Sequence, residues 1–248
     1  MYIASMRMRK KKHGEDRLKR LSYLVYTELD GVSKDPAAPF GTDRPLRLEI
    51  GCGKGDFICG ISEREPDYSY YAMEKVTDVI VIAAEKYALR RGLGSLAPNG
   101  GFMTADGTVY KDSAPVFTPE EAGNVRFICG DATVLKEVFP DGAFDRIYAN
   151  FSDPWTKNGY ASRRLTHGGF LEAYHRLLRP GGMFIFKTDN DELFDFSLET
   201  VEQSPLTLGF VTRDLHNSEK AEQNVMTEYE RNFSEQGIPI KYLEAIKK

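Results

Sequence analysis

The stretch "LRLEIGCGKGDFICGISERE", residues 46–65, decides the fold of this chain. Its first six residues have the pattern of a buried strand, and its last eleven have the apolar spacing of a helix. Between the two, three glycines alternate with other residues, and glycine lets a backbone turn sharply and approach another molecule closely. The stretch therefore predicts a strand, a tight turn and a helix, which is the opening unit of an α/β fold.

The same alternation of strand and helix continues through most of the chain. The predicted strands cover 46–51, 68–74, 124–131, 144–151, 183–190, 206–215 and 238–246. The predicted helices between them cover 55–65, 77–92, 132–139, 166–182, 191–204 and 227–236. Strands that alternate with helices at short spacing favour a mostly parallel sheet with helices on both faces. We therefore predict an α/β fold with a seven-stranded, mostly parallel sheet.

Two segments lie outside this rhythm. Residues 1–44 form a basic N-terminal arm, a helix predicted at 15–29 and a linker rich in Gly, Pro and Asp, and the main domain is predicted to span 45–248. Residues 93–123 are rich in Gly, Pro, Ser and Thr, which predicts a surface insertion with a small hairpin at about 100–111.

The composition limits the classes of protein. A chain of 248 residues with 41% hydrophobic and 28% charged residues suits one α/β domain with additions, or two small domains. Its three cysteines are odd in number and lack C-x-x-C spacing, so we expect free thiols in the reducing cytoplasm and no metal site. No apolar run of the sequence is long enough to span a membrane. Composition leaves a monomer and a homodimer equally open.

The charge is unevenly distributed. The net charge is −4, but residues 1–20 hold eight cations against two acids, which gives +6 there and −10 in the rest of the chain. A basic arm on an acidic body can bind a polyanion through the arm. A solvated tail explains the same composition equally well, so both interpretations stay open.

Acidic residues follow three successive predicted strands. Glu49 precedes the glycine turn, Glu74 ends the second strand, and Asp131 ends the third. A carboxylate beside the turn would repel a pyrophosphate and suits a cationic ligand, while Glu74 can accept the ribose hydroxyls of an adenosine. The carboxylate of Asp131 can accept a hydrogen bond from the exocyclic amine of adenine. Together they predict a pocket for S-adenosylmethionine, although an exposed acid that caps a helix would explain Glu74 taken alone.

The segment "YANFSDPWTKNGYASRRLT", residues 148–166, ends the fourth strand in an unusual way. It holds the only tryptophan of the chain, directly after an acid and a proline, and three cations follow. Proline stiffens the turn, and tryptophan can stack on a base or wall a pocket. A rigid turn with a half-buried tryptophan is the simpler interpretation of the same residues.

These motifs resemble those of the S-adenosylmethionine-dependent tRNA (guanine-N7-)-methyltransferases. The resemblance is carried by "EIGCGKG", "AMEK", "CGDA" and "NFSDPWTKNGYASRRL", and it continues through "FKTDN", "DLHNS" and "MTEYERNFSEQGIPI". It implies a Rossmann-like class I methyltransferase fold and S-adenosylmethionine as the methyl donor. It also implies N7 of a guanosine in tRNA as the acceptor, in the variable loop at tRNA position 46.

The resemblance also implies roles for individual residues. Asp153 is the expected catalytic residue and also contacts the cofactor. The other expected cofactor contacts are Glu49, Gly51, Gly53, Gly55, Glu74 and Asp131. The expected substrate contacts are Lys157, Arg163, Arg164, Asp189, Thr227, Glu228, Tyr229 and Glu230. Taken alone, Thr227 and Glu230 have the spacing of a capping box at the start of a helix.

The sequence departs from the family pattern in the loop after the tryptophan. Thr156 stands where the family usually has proline, and "NGYAS" replaces most of a basic run. Only Arg163 and Arg164 remain of that cluster. The insertion at 93–123 also looks longer than in most members of the family.

Three other functions fit parts of the sequence less well. A methyltransferase for small molecules would use the same pocket, but the basic arm and the arginine pair argue against it. A nicotinamide oxidoreductase would place a pyrophosphate where Glu49 stands, and G-x-G-x-G is not the dinucleotide spacing G-x-G-x-x-G. A non-catalytic RNA-binding module would not need an acid after each of three strands.

Overall fold

A computed structural model describes residues 14–97 and 101–248. The main sheet of the described chain has eight strands in the order β1-β7-β3-β2-β8-β9-β11-β10. Its strands are β1 Val25–Tyr26, β2 Leu46–Ile50, β3 Ser69–Glu74, β7 Val125–Cys129, β8 Phe144–Asn150, β9 Leu178–Thr188, β10 Thr207–Thr212 and β11 Lys241–Ile246. The strands from β1 to β9 in this order pair in parallel, and β11 runs antiparallel to both β9 and β10. The predicted parallel α/β fold is confirmed.

Helices cover both faces of this sheet. They are α1 Gly14–Arg20, α2 Asp30–Lys34, α3 Asp56–Arg64, α4 Thr77–Arg90, α5 Gly168–Leu177, α6 Asp191–Glu202 and α7 Glu228–Glu235. One core cluster joins α3 and α4 to one face of the sheet, and a second joins α5 and α6 to the other face. Successive side chains of a strand point to opposite faces, so Tyr70 and Tyr71 of β3 enter different clusters. None of the described helices is long and apolar enough to cross a membrane.

The sheet has one strand more than the sequence predicted. The helix expected at 15–29 ends at Arg20, and β1 then pairs in parallel with β7. The periodicity was misleading because Leu21 and Leu24 are buried in the same core as α3 and α4, although they lie in a turn. An edge strand has unpaired backbone groups, and the N-terminal segment covers those of β7: Phe127 N donates to Leu24 O at 2.8 Å.

The insertion contains the predicted hairpin, within a separate three-stranded sheet. That sheet consists of β4 Gly94–Leu96, β5 Phe102–Thr104 and β6 Val109–Tyr110. It is not a detached surface feature, because Phe102 is 1% exposed and packs against the Tyr23 ring at 6.0 Å. The insertion and the N-terminal segment therefore support each other at the edge of the main domain.

Candidate active site

The acidic residues predicted from the sequence lie where the order of the strands reverses. The chain runs from β2 outward to β3 and β7, and then returns to β8 on the other side of β2. In an open parallel sheet, ligands bind in the crevice at the carboxyl ends of the strands beside such a switch point. Glu49 of β2 and Asn150 of β8 lie at these ends, and the Asn150 amide donates to Glu49 Oε1 at 3.1 Å.

The glycine turn combines an open surface with a close helix contact. All three glycines have the left-handed backbone conformation, with φ values of 75° at Gly51, 53° at Gly53 and 81° at Gly55. A Cβ atom at Gly51 or Gly53 would meet no atom within 4 Å, so the turn leaves room for a ligand. A Cβ atom at Gly55 would lie 2.8 Å from the Cβ of Ala83. Gly55, expected to contact the cofactor, thus serves the packing of α3 on α4.

Glu49 carries the electrostatic character of the crevice. Its side chain is buried, and Oε2 has no hydrogen-bond partner. Burial raises the pKa of the Glu49 carboxyl to about 7, although the Asn150 amide and the charge of Lys187 act in the opposite direction. A buried carboxylate with an unpartnered oxygen and a pKa near neutrality favours a cationic partner.

Glu74 and Asp131 end the next two strands on the same side of the crevice. Glu74 accepts hydrogen bonds from Gly53 N at 3.3 Å and from Val76 N at 3.0 Å, so it also fixes the glycine turn. Asp131 is exposed and accepts from Thr133 N at 2.9 Å. That hydrogen bond holds the pKa of Asp131 below its usual value. Each carboxylate keeps lone pairs for a further donor.

The segment after β8 forms a strained loop, residues 151–155, that we call the lip. Phe151 and Trp155, at its two ends, have φ values of 53° and 43° and are the described non-glycine residues with positive φ. Left-handed geometry costs about 1–2 kcal/mol at such a residue and clusters at functional sites. Asp153 lies between them with its side chain exposed. The conformation of the lip therefore lowers the stability of the fold, and it presents an exposed acid beside the crevice.

Arg164 supports the lip from below and is not a surface cation. Its side chain is buried, its Nε donates to Pro154 O at 3.0 Å, and its Nη2 donates to Trp155 O at 3.2 Å. The guanidinium also lies 4.3 Å from the ring of Phe196. Its Nε and Nη2 are thus engaged inside the protein, and the expected contact of Arg164 with the substrate stays a prediction.

Arg163 and Lys157 remain available to a polyanion. Both side chains are exposed. The Arg163 guanidinium lies 5.0 Å from the Trp155 ring and 4.8 Å from the Tyr160 ring, which are in edge-to-face contact with each other. A cation over two aromatic rings at the rim of a crevice provides both charge and a stacking surface for a nucleotide.

The C-terminal motif divides into exposed and buried residues. Thr227 and Glu230 form the capping box of α7, as the spacing alone predicted. Glu228 pairs with Lys54 at 3.0 Å, and Tyr229 is 64% exposed. Glu230 is fully buried, and its expected contact with the substrate stays a prediction. Burial acts to raise the pKa of Glu230, but the charge of Lys187 and the hydrogen bonds from Lys187, His216 and Asn224 together hold that pKa below its usual value.

Asp189 follows β9 at the same end of the sheet. Its side chain is half-buried, and burial raises the pKa of its carboxyl. The backbone carbonyl of Asp189 accepts from Lys241 Nζ at 2.9 Å, which fixes the chain at this point. The expected contact of Asp189 with the substrate stays a prediction.

Three residues of the site were not singled out from the sequence. Asn150 orients Glu49, Lys187 pairs with Glu230 at 2.7 Å, and His216 Nε2 lies 2.8 Å from the other oxygen of Glu230. Lys187 stands in an apolar strand, and a lysine inside such a strand was the one signal that could have revealed it.

A cavity of about 360 Å³ adjoins the crevice on the face that carries α3. Asn150 and Lys187, near the carboxyl ends of β8 and β9, line it together with Arg47, Tyr148 and Glu244. None of the three strand-end acids lines it. We therefore place the chemistry in the crevice at the strand ends, where these acids, the open glycine turn and the lip meet.

Comparison with known proteins adds to this geometry. The family model described as "Putative methyltransferase" matches residues 43–243. A tRNA (guanine-N(7)-)-methyltransferase of Bacillus licheniformis is 38% identical over 97% of this chain and 98% of its own length. The enzymes of that name from Bacillus subtilis and Clostridioides difficile are each 37% identical, over 95% and 98% of this chain and 96% and 100% of their own lengths.

Solved structures agree on the fold. An antibiotic-related methyltransferase superimposes with a TM-score of 0.55, with 14% sequence identity over 92% of this chain and 98% of that one. A 16S rRNA methyltransferase superimposes with a TM-score of 0.54, with 11% identity over 85% of this chain and 93% of that one. At these identities the likeness establishes a Rossmann-like class I methyltransferase fold and nothing finer.

Proposed function

Because the chain belongs to the tRNA (guanine-N7-)-methyltransferase family, we propose that it transfers a methyl group from S-adenosylmethionine to N7 of a guanosine in tRNA. The acceptor is the variable-loop guanosine at tRNA position 46, as the motif resemblance implies. A tRNA substrate agrees with the cytoplasm as the place of action.

One observation carries the choice of methyl donor. Glu49 has a buried carboxylate oxygen without a partner, beside a glycine turn whose backbone is open at Gly51 and Gly53. A neutral ligand would leave that charge uncompensated, and a pyrophosphate would be repelled by it. A ligand with a positive charge close to an adenosine fits this pair of features.

The residues present can hold such a donor. Glu49 would face its positive charge. Glu74 would accept hydrogen bonds from the ribose hydroxyls, and Asp131 would accept a hydrogen bond from the adenine amine. When bound, the donor supplies a methyl group on a sulfonium, which is electrophilic without further activation. The protein needs no nucleophile of its own, and its contribution is alignment and electrostatics.

Asp153 is the residue we assign to the acceptor. Guanine N7 has an in-plane lone pair and needs no base to become nucleophilic, so the protein must only orient the ring. The exposed carboxylate of Asp153 can accept hydrogen bonds from guanine N1–H and the N2 amine, which turns N7 toward the donor. Its negative charge also stabilises the positive charge that develops on the purine. The carboxylate lies between the two residues of the lip that have positive φ, Phe151 and Trp155.

The rim of the crevice supplies the contacts to the rest of the tRNA. Lys157 and Arg163 can pair with phosphates, and Tyr229 and Glu228 extend from the first turn of α7 on the other side. Asp189 lies at the strand end between these two sides. Contacts of this kind position a nucleic acid, whereas Asp153 selects the base.

A methyl-transfer assay tests the proposal. The protein is incubated with S-adenosylmethionine labelled in the methyl group and with unmodified tRNA, and separate reactions contain free guanosine or a tRNA with adenosine at position 46. We expect label in the unmodified tRNA only. Equal labelling of free guanosine would indicate a small-molecule methyltransferase, and tRNA binding without any transfer would indicate a non-catalytic RNA-binding module.

A further inference from the structure

Lys187 is a buried cation that the proposed chemistry leaves without a role. Its side chain is 2% exposed at the carboxyl end of β9. Its ammonium lies 2.7 Å from Glu230 Oε2, 3.0 Å from Asn224 Oδ1 and 3.0 Å from Val225 O. An ammonium has three donors, so this set of acceptors engages all of them.

The same side chain touches segments that are distant in sequence. Its ammonium lies 5.2 Å from the ring of Phe57, in the first turn of α3, and 6.0 Å from the ring of Phe151, the first residue of the lip. Phe151 N also donates to the carbonyl oxygen of Lys187 at 2.8 Å. Phe151 in turn stacks on Phe233 of α7, with ring centroids 6.3 Å apart and planes 16° apart.

Lys187 thus stands where three parts of the site meet. The lip carries Asp153, α7 carries Glu228 and Tyr229, and α3 follows the glycine turn. These segments are distant in sequence, so the chain itself does not fix the distances between them. Methyl transfer to a base held between them requires fixed distances. We propose that Lys187 is a positioning residue for methyl transfer, which holds the lip and the first turn of α7 in register across the crevice.

This role rests on the proposed function, and the charge of Lys187 is essential to it. An apolar side chain of similar length could fill the space and contact Phe151. It could not compensate the buried carboxylate of Glu230, which also accepts from His216 and, through its capping box, from Thr227 N at 3.4 Å. An unpaired buried carboxylate draws water or protonates, and either change loosens the start of α7.

The test uses Lys187→Met, Glu230→Gln and the double variant, in which neither charge is left unpaired. We expect Lys187→Met to lower kcat by roughly 10²-fold, as for a misplacement of about 1 Å, with little change in the affinity for S-adenosylmethionine. The double variant should recover the Tm but not kcat, and its loss of kcat should not exceed that of Lys187→Met, because both substitutions break one link. Recovery of kcat together with Tm would overturn the proposal, as would additive losses.

A spectroscopic readout separates this proposal from the proposed function. Trp155 is the only tryptophan of the chain and lies on the lip, so quenching of its fluorescence by acrylamide reports how firmly the lip is held. We expect greater quenching in Lys187→Met and in the double variant. Arg126→Met is the matched control, since Arg126 is a buried cation near the amino end of β7 that donates to carbonyls of Pro39 and Pro119. Arg126→Met should have a lower Tm than the wild type, with no change in the quenching of Trp155.

Quenching of the folded double variant that equals that of the wild type would overturn the role of Lys187. If the wild-type protein transferred no methyl group to tRNA, the proposed function would fail, and the quenching comparison would still decide whether Lys187 holds the lip.

Discussion

Asp153 and Glu49 are both acids of one crevice, and their surroundings give them different tasks. Asp153 is exposed on the lip, where it can meet a substrate from solvent. Glu49 is buried and its pKa is raised to about 7, so its charge depends on what lies beside it. The separation follows from position alone, because one acid ends a strand inside the sheet and the other follows a strand outside it.

Asp153→Asn should separate catalysis from folding. Asparagine keeps the shape and one acceptor oxygen but removes the charge and presents an amide donor to the guanine N1–H. We expect kcat/KM for tRNA to fall by about 10²–10³, which is typical for the loss of one preorganised transition-state partner. Tm should hold, since Asp153 is exposed, and tRNA binding should change little because phosphate contacts dominate it.

The assay for this variant combines methyl transfer, tRNA binding and thermal unfolding on one preparation. Thr156→Ala, beside the lip and also exposed, serves as the control and should transfer normally. A folded Asp153→Asn protein that binds and methylates tRNA at the wild-type rate would remove Asp153 from the mechanism.

Glu49 should make the stability of the ligand-free protein depend on pH. Burial raises its pKa from an ordinary value near 4.5 to about 7, so between these values the folded state binds more protons than the unfolded state. The contribution of Glu49 to stability is therefore largest at low pH and falls as pH rises to 7, by about 3 kcal/mol at most. Above pH 7 it should be constant.

Comparison with Glu49→Gln isolates this effect. The free energy of unfolding is measured by urea denaturation from pH 5 to 8 without ligand, and the wild type minus variant difference should decline across this range. Parallel curves for the two proteins would mean that the carboxyl has an ordinary pKa and that its Oε2 atom is not left without a partner in solution.

At the level of elements, hydrophobic periodicity predicted most of the regular strands and helices. It failed where pairing with a distant strand determines the secondary structure. The strand, glycine turn and helix of residues 46–65 appear as β2 and α3, because every residue of the strand is buried and the glycines permit positive φ. Residues 21–26 have helical spacing but become a turn and β1, since the free edge of β7 offers hydrogen bonds. The pattern of residues 21–26 contains no information about the edge of β7, which is distant in sequence.

Charged residues show the same limit. Arg163 and Arg164 are identical in sequence terms, yet one is exposed and the other is buried beneath the lip. Glu230 looks like a surface acid in a helix start, and its buried carboxylate is compensated by Lys187 and His216, which come from other segments of the chain. A sequence motif can therefore identify a site while leaving open which of its charges meet the ligand.

The insertion should contribute to stability and not to chemistry. Phe102 on β5 is 1% exposed, so Phe102→Ala should lower the free energy of unfolding by about 3–5 kcal/mol, as for a large aromatic in a core. The neighbouring Met103 is 36% exposed, and Met103→Ala should change it by less than about 0.5 kcal/mol.

Urea denaturation of both variants, together with kcat at a temperature where both are folded, checks this expectation. A stable Phe102→Ala protein would show that the insertion is peripheral, as the sequence suggested. Loss of tRNA binding with stability intact would instead make the insertion a contact surface for the substrate.

For the whole molecule, we expect the basic N-terminal arm on the acidic body to contribute to the affinity for tRNA. The arm holds Arg7, Arg9, Lys10, Lys11 and Lys12, which lie outside the described residues. Deletion of residues 1–12 should flatten the slope of log affinity for tRNA against log salt by up to ~0.7–0.9 for each phosphate that the arm neutralises. Filter binding at several salt concentrations measures the slope, and an unchanged slope would mean that the arm is merely solvated.

We propose that this crevice methylates N7 of one guanosine in tRNA. N7-methylguanosine is the lesion at which borohydride reduction followed by aniline cleaves an RNA chain, so the most direct measurement is cleavage mapping of tRNA after reaction with the protein and S-adenosylmethionine. We expect one new break, at the variable-loop guanosine, that is absent with Asp153→Asn. Transfer of label to the tRNA without a break, or with breaks at other guanosines only, would contradict it.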